Sequence, residues 1–273
     1  MSEHAPERGR ELLSLKSVSR EFGGLKVLQD VTLAVRAGTI SGLIGPNGAG
    51  KTTVFNLITG LLAPTAGEIA LDGVSLVGRK PHAITRSGVA RTFQNIRIFK
   101  EMTLLENVIV GMHRHLDYGL PGLLLGSPGY RAAERRARER ARELLSWMKL
   151  ERQADDLADK LSYGAQRKLE IARALATEPR LLLLDEPVAG MNSTEKTELM
   201  REIVQIQGRG YTVFMIEHDM RFVMGLCEEI AVLNFGRIIA RGDPQRIRDD
   251  PQVIEAYLGR EDDEATQAPG GPQ

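Results

Sequence analysis

Residues 45–53 read Gly-Pro-Asn-Gly-Ala-Gly-Lys-Thr-Thr, a pattern whose chemistry is the cradling of a phosphate chain. Gly45, Gly48 and Gly50 allow a tight turn in which successive backbone N–H groups point at a polyanion, with Pro46, Asn47 and Ala49 completing the turn. Lys51 can reach the β- and γ-phosphates of a nucleotide and the Thr52 hydroxyl can ligate Mg²⁺. Thr53 continues into a helix whose positive end adds to the site. An ordinary glycine-rich turn capping a helix is the simpler alternative. Such a turn does not need a match at every position, directly after the apolar run 40–44 and directly before helix-compatible sequence, and this chain has that match.

A metal held by a threonine needs an acidic ligand as well. Residues 181–184 are all leucine and are followed at once by Asp185 and Glu186, so both carboxylates stand at the carboxyl end of an expected buried strand, where α/β sheets place ligands. Asp185 suits the metal, directly or through water. Glu186, one residue on, suits the general base that polarises an attacking water. Taken alone, the pair reads equally as a solvated acidic strand end.

The elements that must position these groups follow from patterning. Residues 13–18 and 67–71 read as strands, residues 31–35 alternate as a half-exposed strand does, and helix-compatible sequence covers 51–59. Residues 116–130, with Gly119, Pro121, Gly122, Gly126, Pro128 and Gly129, read as a loop. From 131 to 150, Ala137, Ala141, Leu144, Leu145 and Met148 fall at helical spacing with Arg and Glu on the other face. A second long helix is expected over 163–177. Strand patterns return at 181–184, 212–216, 230–233 and 237–240, with a helix over 194–207. The expectation is an α/β nucleotide-binding core, residues 1–95 and 179–260, interrupted by a helical insertion over 96–178. A polar, Pro- and Gly-rich tail over 261–273 reads as disordered.

Composition narrows the classes. Lysine plus arginine and aspartate plus glutamate both number 36, which argues against a chain whose main task is gripping nucleic acid. Arg131, Arg135, Arg136, Arg138, Arg140 and Arg142 form a stripe, but Glu134, Glu139 and Glu143 interleave, as on a solvated helix face. Cys227 is the single cysteine, so no internal disulfide is expected and the thiol reads as packing in a reducing compartment. The charged N-terminus lacks an apolar h-region and no run of about 18 apolar residues occurs, so neither a secretory signal nor a bilayer span is expected.

Residues 161–167, Leu-Ser-Tyr-Gly-Ala-Gln-Arg, add a family reading. They resemble the Leu-Ser-Gly-Gly-Gln signature of ATP-binding-cassette (ABC) transporter ATPase subunits, a likeness that covers nearly all of residues 12–260. The resemblance implies a RecA-like P-loop core with an antiparallel β subdomain and an inserted α-helical subdomain. It implies ATP with Mg²⁺, and two subunits that sandwich two ATP molecules head to tail. On this resemblance Ser162 and Gly164 contact the γ-phosphate held by the other subunit. Gln94 senses Mg²⁺ and the attacking water, His218 contacts the γ-phosphate, and Phe22 stacks on adenine. Residues 188–192 form the loop through which the subunits communicate. Tyr163 and Ala165 depart from the signature, and Asn192 stands where many members carry aspartate. Read without the family, residues 161–167 are a helix start capped by Ser162, Phe22 fits core packing nearly as well, and a lone histidine such as His218 is usually structural.

Longer segments, at 91–108, 119–126, 163–173, 186–192, 216–225 and 250–259, make the chain similar to the larger ATPase subunit of bacterial branched-chain amino-acid importers. This similarity implies a peripheral place on the cytoplasmic face of the bacterial inner membrane. Its implied partners are two transmembrane permeases, a second homologous ATPase subunit in a hetero- or homodimer, and an external substrate-binding protein, with no nucleic acid. Residues 94–99 mark the expected permease-docking groove. Related systems carry urea, short amides or other amino acids. The alternative of another class is a cassette ATPase acting on nucleic acid or ribosomes, and such proteins commonly carry two ATPase halves or a long coiled-coil insertion. A regulator that never hydrolyses ATP is a third, against which Glu186 and His218 argue.

Overall fold

The structure is a computed structural model that describes residues 8–112 and 128–258. The chain begins with β1 (Glu11–Phe22), β2 (Leu25–Arg36), β3 (Ile40–Ile44), α1 (Lys51–Ile58), β4 (Ala66–Leu71) and β5 (Val74–Ser75). It continues through α2 (Pro81–Arg86), β6 (Val89–Arg91), α3 (Leu104–Gly111), α4 (Pro128–Trp147), α5 (Tyr163–Leu175), β7 (Leu181–Asp185) and α6 (Ser193–Gly208). The last elements are β8 (Thr212–Ile216), α7 (Met220–Leu226), β9 (Glu229–Asn234), β10 (Arg237–Gly242), α8 (Pro244–Arg248) and α9 (Pro251–Leu258). They form two compact units, one of residues 8–81 and 214–258, the other of residues 82–112 and 128–213.

In the first unit β1 is the hub of a four-stranded antiparallel sheet in the order β2-β1-β4-β5. Leu13, Leu15 and Val18 face Val35, Leu33 and Val31 on β2, while Leu13 and Leu15 face Leu71 and Ile69 on β4. None of these side chains is more than 3 % exposed, so the apolar repeat of β1 sets the register. Both strands run beyond the expected 13–18 and 31–35 because Gly23 and Gly24, at φ +51° and +90°, close them into a hairpin. The same unit holds β3, buried along its whole length and parallel to β9, with Gly42 opposite Ile230. A Cβ on Gly42 would lie 3.0 Å from Cys227 Sγ, so the lone thiol packs against a glycine, and burial pushes it up to about 12. Beside β3, α1 packs Phe55 on Phe214 with ring centroids 5.3 Å apart.

In the second unit β6 and β7 are parallel, with Arg91 opposite Leu183. All of β7 is buried, as its leucines require. The long helix α4 buries Ala137, Ala141, Leu144 and Leu145, and its outer face carries the ion pair Arg138–Glu134 at 3.0 Å, i,i+4 apart. Arg131, Arg135, Arg136, Arg138 and Arg142 of the stripe are exposed, as on a solvated face, whereas Arg140 is half-buried and lies over Trp147 with a hydrogen bond to Tyr211. The expected loop over 116–130 is corrected at its end: Pro128, Gly129 and Tyr130 open α4, where proline's missing N–H costs nothing. Residues 116–127 lie outside the described residues, as does the tail 261–273. The helix expected over 131–150 stops at Trp147, and Lys149 at φ +59° turns the chain. Patterning alone does not single out α3, yet Thr103 and Glu106 close a reciprocal capping box at its start, a Thr-x-x-Glu signature visible in sequence.

Candidate functional site

The expected phosphate loop, residues 45–53, belongs to the first unit. Gly45 has φ +149°, and a Cβ there would meet the Leu233 carbonyl oxygen at 1.9 Å; Gly50 has φ +107° and a Cβ there would meet Leu28 Cδ2 at 2.7 Å. At Gly48, φ +79°, there is open space, so that position needs glycine for its backbone alone. Lys51 is 8 % exposed and its Nζ donates to the carbonyls of Gly45 at 2.6 Å and Pro46 at 2.9 Å. Thr52 is exposed and Thr53 half-buried; Asn47 is exposed between the buried Pro46 and Ala49. No side chain caps α1 and no acid stands in its first turn, so its positive end is left for an anion.

The same unit carries two further expected residues. Phe22 is 40 % exposed with the Arg20 guanidinium 4.2 Å over its ring, so core packing does not explain it. The His218 side chain is 59 % exposed, with Nδ1 3.7 Å from Glu217 Oε2. Glu217 is fully buried and accepts the N–H groups of His218 and Asp219 at 2.8 and 3.1 Å, which fixes the turn presenting the imidazole.

The second unit brings Gln94, Asp185 and Glu186 together. Asp185 Oδ2 accepts from Arg91 Nη2 at 2.6 Å, a pair whose side chains are 5 % and 4 % exposed. Gln94 Nε2 donates to Glu186 Oε2 at 3.0 Å. Glu186 has φ +47°, a left-handed conformation that costs a non-glycine residue about 1–2 kcal/mol and breaks the strand alternation after Asp185. The loop carrying Gln94 is anchored by α5. Arg167, fully buried, donates to the carbonyls of Phe93 and Gln94 at 2.5 and 2.7 Å and pairs with Glu170 at 2.9 Å. Glu170 Oε1 in turn accepts the N–H of Arg97 at 3.2 Å.

Ser162 and Gly164 form a second group at the start of α5. Ser162 Oγ caps the helix by accepting from the Ala165 N–H at 3.3 Å. A Cβ on Gly164 would lie 2.8 Å from Glu195 Oε1, and one on Gly190 would lie 3.2 Å from the Tyr163 ring. Asn192 caps α6, accepting from Thr194 and Glu195 N–H at 3.0 Å, while Glu195 reaches back to the Asn192 N–H. Of the two departures from the family pattern, Tyr163 thus lies against Gly190 of the 188–192 loop, and Asn192 caps α6.

The family model described as ABC transporter matches residues 28–189, more than half of the chain. The chain belongs to the ABC transporter ATP-binding cassette family. ATP binding and hydrolysis are that family's activity. A second model, described as branched-chain amino acid ATP-binding cassette transporter, matches residues 237–263 of the cassette. The cassette is 47 % identical over 251 residues to the high-affinity branched-chain amino acid transport ATP-binding protein BraF of Pseudomonas aeruginosa, covering 92 % of this chain and 98 % of that one. It is 46 % identical over 249 residues to the corresponding LivG protein of Escherichia coli, covering 91 % and 98 %. A crystal structure of a nucleotide-free ATP-binding cassette from an ABC transporter has a TM-score of 0.79 at 31 % identity, with 91 % of this chain and 99 % of that chain covered. The ADP conformation of a cassette also has a TM-score of 0.79, at 30 % identity and 92 % and 99 % coverage.

Sequence reasoning missed the residues that hold the cassette's charged groups: Arg91 on Asp185, and Arg167 with Glu170 on the loop of Gln94. The Arg91 signal was its place as the last residue of β6, directly before the loop of Gln94; Arg167 and Glu170 fall i,i+3 on one face of an amphipathic helix. The same unit contains a groove of about 460 Å³ lined by Arg91, Arg97, Phe99, Val110, Arg173 and Ala174, among others. Arg97 stacks on Phe93 and Arg173 on Phe99, at 4.3 and 5.5 Å, so the rim is aromatic and basic.

Proposed function

We propose that the chain is the ATP-hydrolysing subunit of an importer for branched-chain or related amino acids. The Gln94–Glu186 hydrogen bond at 3.0 Å is the observation that carries the hydrolytic part. A general base must take a proton from water on one carboxylate oxygen while its rotamer is held. Gln94 holds Glu186 through Oε2 with an amide that does not titrate in the working range. Residues 45–53 cradle the phosphates, Lys51 and His218 donate to the terminal phosphate, and Phe22 stacks on the base. Thr52, Gln94 and Asp185 would hold Mg²⁺. Among the described residues no group of three His, Cys, Asp or Glu side chains is placed to hold a metal by itself, so Mg²⁺ would be held here only together with the nucleotide. Bound there, Mg²⁺ would supply charge neutralisation for transfer of the terminal phosphoryl to water.

No helix among the described residues is long and apolar enough to cross a membrane, so the transport path belongs to partners. The reading supplies two polytopic permeases, a second cassette of the same or a related sequence, and an external substrate-binding protein, with this chain peripheral on the cytoplasmic face. Ser162 and Gly164 then meet the phosphate held by the other cassette. The basic, aromatic groove around Arg97, Phe99 and Arg173 takes a permease segment. Support for the cargo class comes from the C-terminal match at 237–263 and the names of the relatives.

Affinity purification from detergent-solubilised membranes tests this. Recovery with two polytopic permeases and a second cassette supports it. Recovery with ribosomes or nucleic acid and no permease sinks the transport reading and leaves the ATPase standing.

A further inference from the structure

Phe22 closes β1 with an aromatic ring, and one of the ring's two faces is already taken. The Arg20 guanidinium lies 4.2 Å over the ring centroid while Phe22 stays 40 % exposed, so the other face is left to solvent. The register of β1 on β2 shifts between Val18 and Arg20 and again between Arg20 and Glu21, and bulges of this kind re-aim side chains. Arg20 Nη1 donates to the Ala63 carbonyl at 2.8 Å, whereas its Nε is buried with no hydrogen-bond partner among the described residues. A buried N–H left without a partner is costly, so contact with the ring must offset it.

The same end of β1 is pinned to the segment that leaves α1. The Thr65 N–H donates to the Ser19 carbonyl at 2.8 Å, and the Glu21 N–H donates to Thr65 Oγ1 at 3.1 Å. Because α1 opens on Lys51, the ring and the proposed phosphate loop are joined within the first unit. A cation on one face draws the ring's π density toward itself. The open face then meets the π cloud of a base with less repulsion, and the ring is held in one orientation.

We propose that Arg20 is a positioning residue for nucleotide recognition that acts through Phe22, fixing and polarising the ring whose open face stacks on the base. The proposal rests on the reading of Phe22 as the base-stacking residue. Arg20 itself touches neither base nor phosphate. Its effect is confined to the share of the affinity that the base supplies, and binding of the phosphate chain by residues 45–53 does not depend on it.

The readout is a base factor, the affinity of the purified chain for ATP divided by its affinity for inorganic tripolyphosphate. Both are measured in EDTA by displacement of a ribose-labelled fluorescent ATP, so metal binding does not enter. Phe22→Ala is expected to lower the factor by about tenfold. Arg20→Met removes the guanidinium and should lower it by about threefold or more, with tripolyphosphate affinity within about twofold of the unchanged chain. In a Phe22→Ala background, Arg20→Met leaves the factor unchanged, since no ring remains to position. Should Arg20→Met fail to fold, which loss of tripolyphosphate binding would reveal, Arg20→Gln makes the same test with a donor kept and the charge removed.

A purely structural role for Arg20 weakens both ligands alike and leaves the factor where it was, which overturns the proposal. A rise overturns it as well, because Arg20 would then meet the phosphates. So does a further fall on adding Arg20→Met to Phe22→Ala, because Arg20 would then touch the base directly. Two failures are distinguishable. If Phe22→Ala leaves the factor intact, Phe22 does not stack on the base, and that part of the proposed function falls together with the role of Arg20. If Phe22→Ala lowers the factor and Arg20→Met does not, Phe22 keeps its role and that of Arg20 alone fails.

Discussion

In the phosphate loop proposed at residues 45–53 the groups that would meet the ligand are backbone N–H groups, and what fixes the loop is missing side chains. Gly45 and Gly50 sit where a Cβ would run into Leu233 or Leu28, and neither conformation suits another residue. At the end of β7 the proposed working groups are carboxylates, and what fixes them is side chains drawn from far along the chain: Arg91 on Asp185, Gln94 on Glu186, and Arg167 with Glu170 beneath the loop of Gln94. The first kind of site is local and rigid. The second is a network of buried charges, each satisfied only while its partner is present, so it is stiff when whole and open to adjustment at any link.

Substitutions that strike each kind of support sharpen this contrast. The largest effect is expected for Gly45→Ala, where a methyl would stand 1.9 Å from a backbone carbonyl at a φ of +149°. Nucleotide titration should show at least about a hundredfold loss of affinity, with a cost above about 4 kcal/mol in chemical unfolding if the domain still folds. Affinity close to that of the unchanged chain would mean that the loop yields and the contrast is false. Next comes Arg167→Met, which leaves Glu170 buried and unpaired. A cost of about 3–5 kcal/mol is expected in urea unfolding, and adding Glu170→Met should recover much of it. A neutral single change would show that the buried pair does not support the loop of Gln94. The smallest effect belongs to Asn192→Ala, which removes a helix cap for about 1 kcal/mol in the same assay, while Asn192→Asp, also a good cap, stays within a few tenths. A large loss from Asn192→Ala would place Asn192 in more than capping.

The contrast also explains what could be read from the sequence. Residues 45–53 were legible because their constraint is backbone conformation, which glycine spacing reports directly. Asp185 and Glu186 were legible as a strand end because four leucines fix a buried strand. The partner Arg91 was not, since the register of β6 against β7 arises only when the chain folds. The ends of α4 were misplaced for a local reason: Pro128 and Gly129 read as loop residues, yet proline suits a first helical turn. Tyr163 and Asn192 looked like departures from a motif. In the fold they are a ring seated on Gly190 and a helix cap.

The most direct test of the central claim is phosphate release from ATP by the purified chain and by Glu186→Gln, beside nucleotide titration of both. The account predicts Mg²⁺-dependent hydrolysis that falls by about a hundredfold to ten-thousandfold in the variant, with ATP affinity retained. Turnover in Glu186→Gln close to that of the unchanged chain would remove Glu186 as the base and contradict the account.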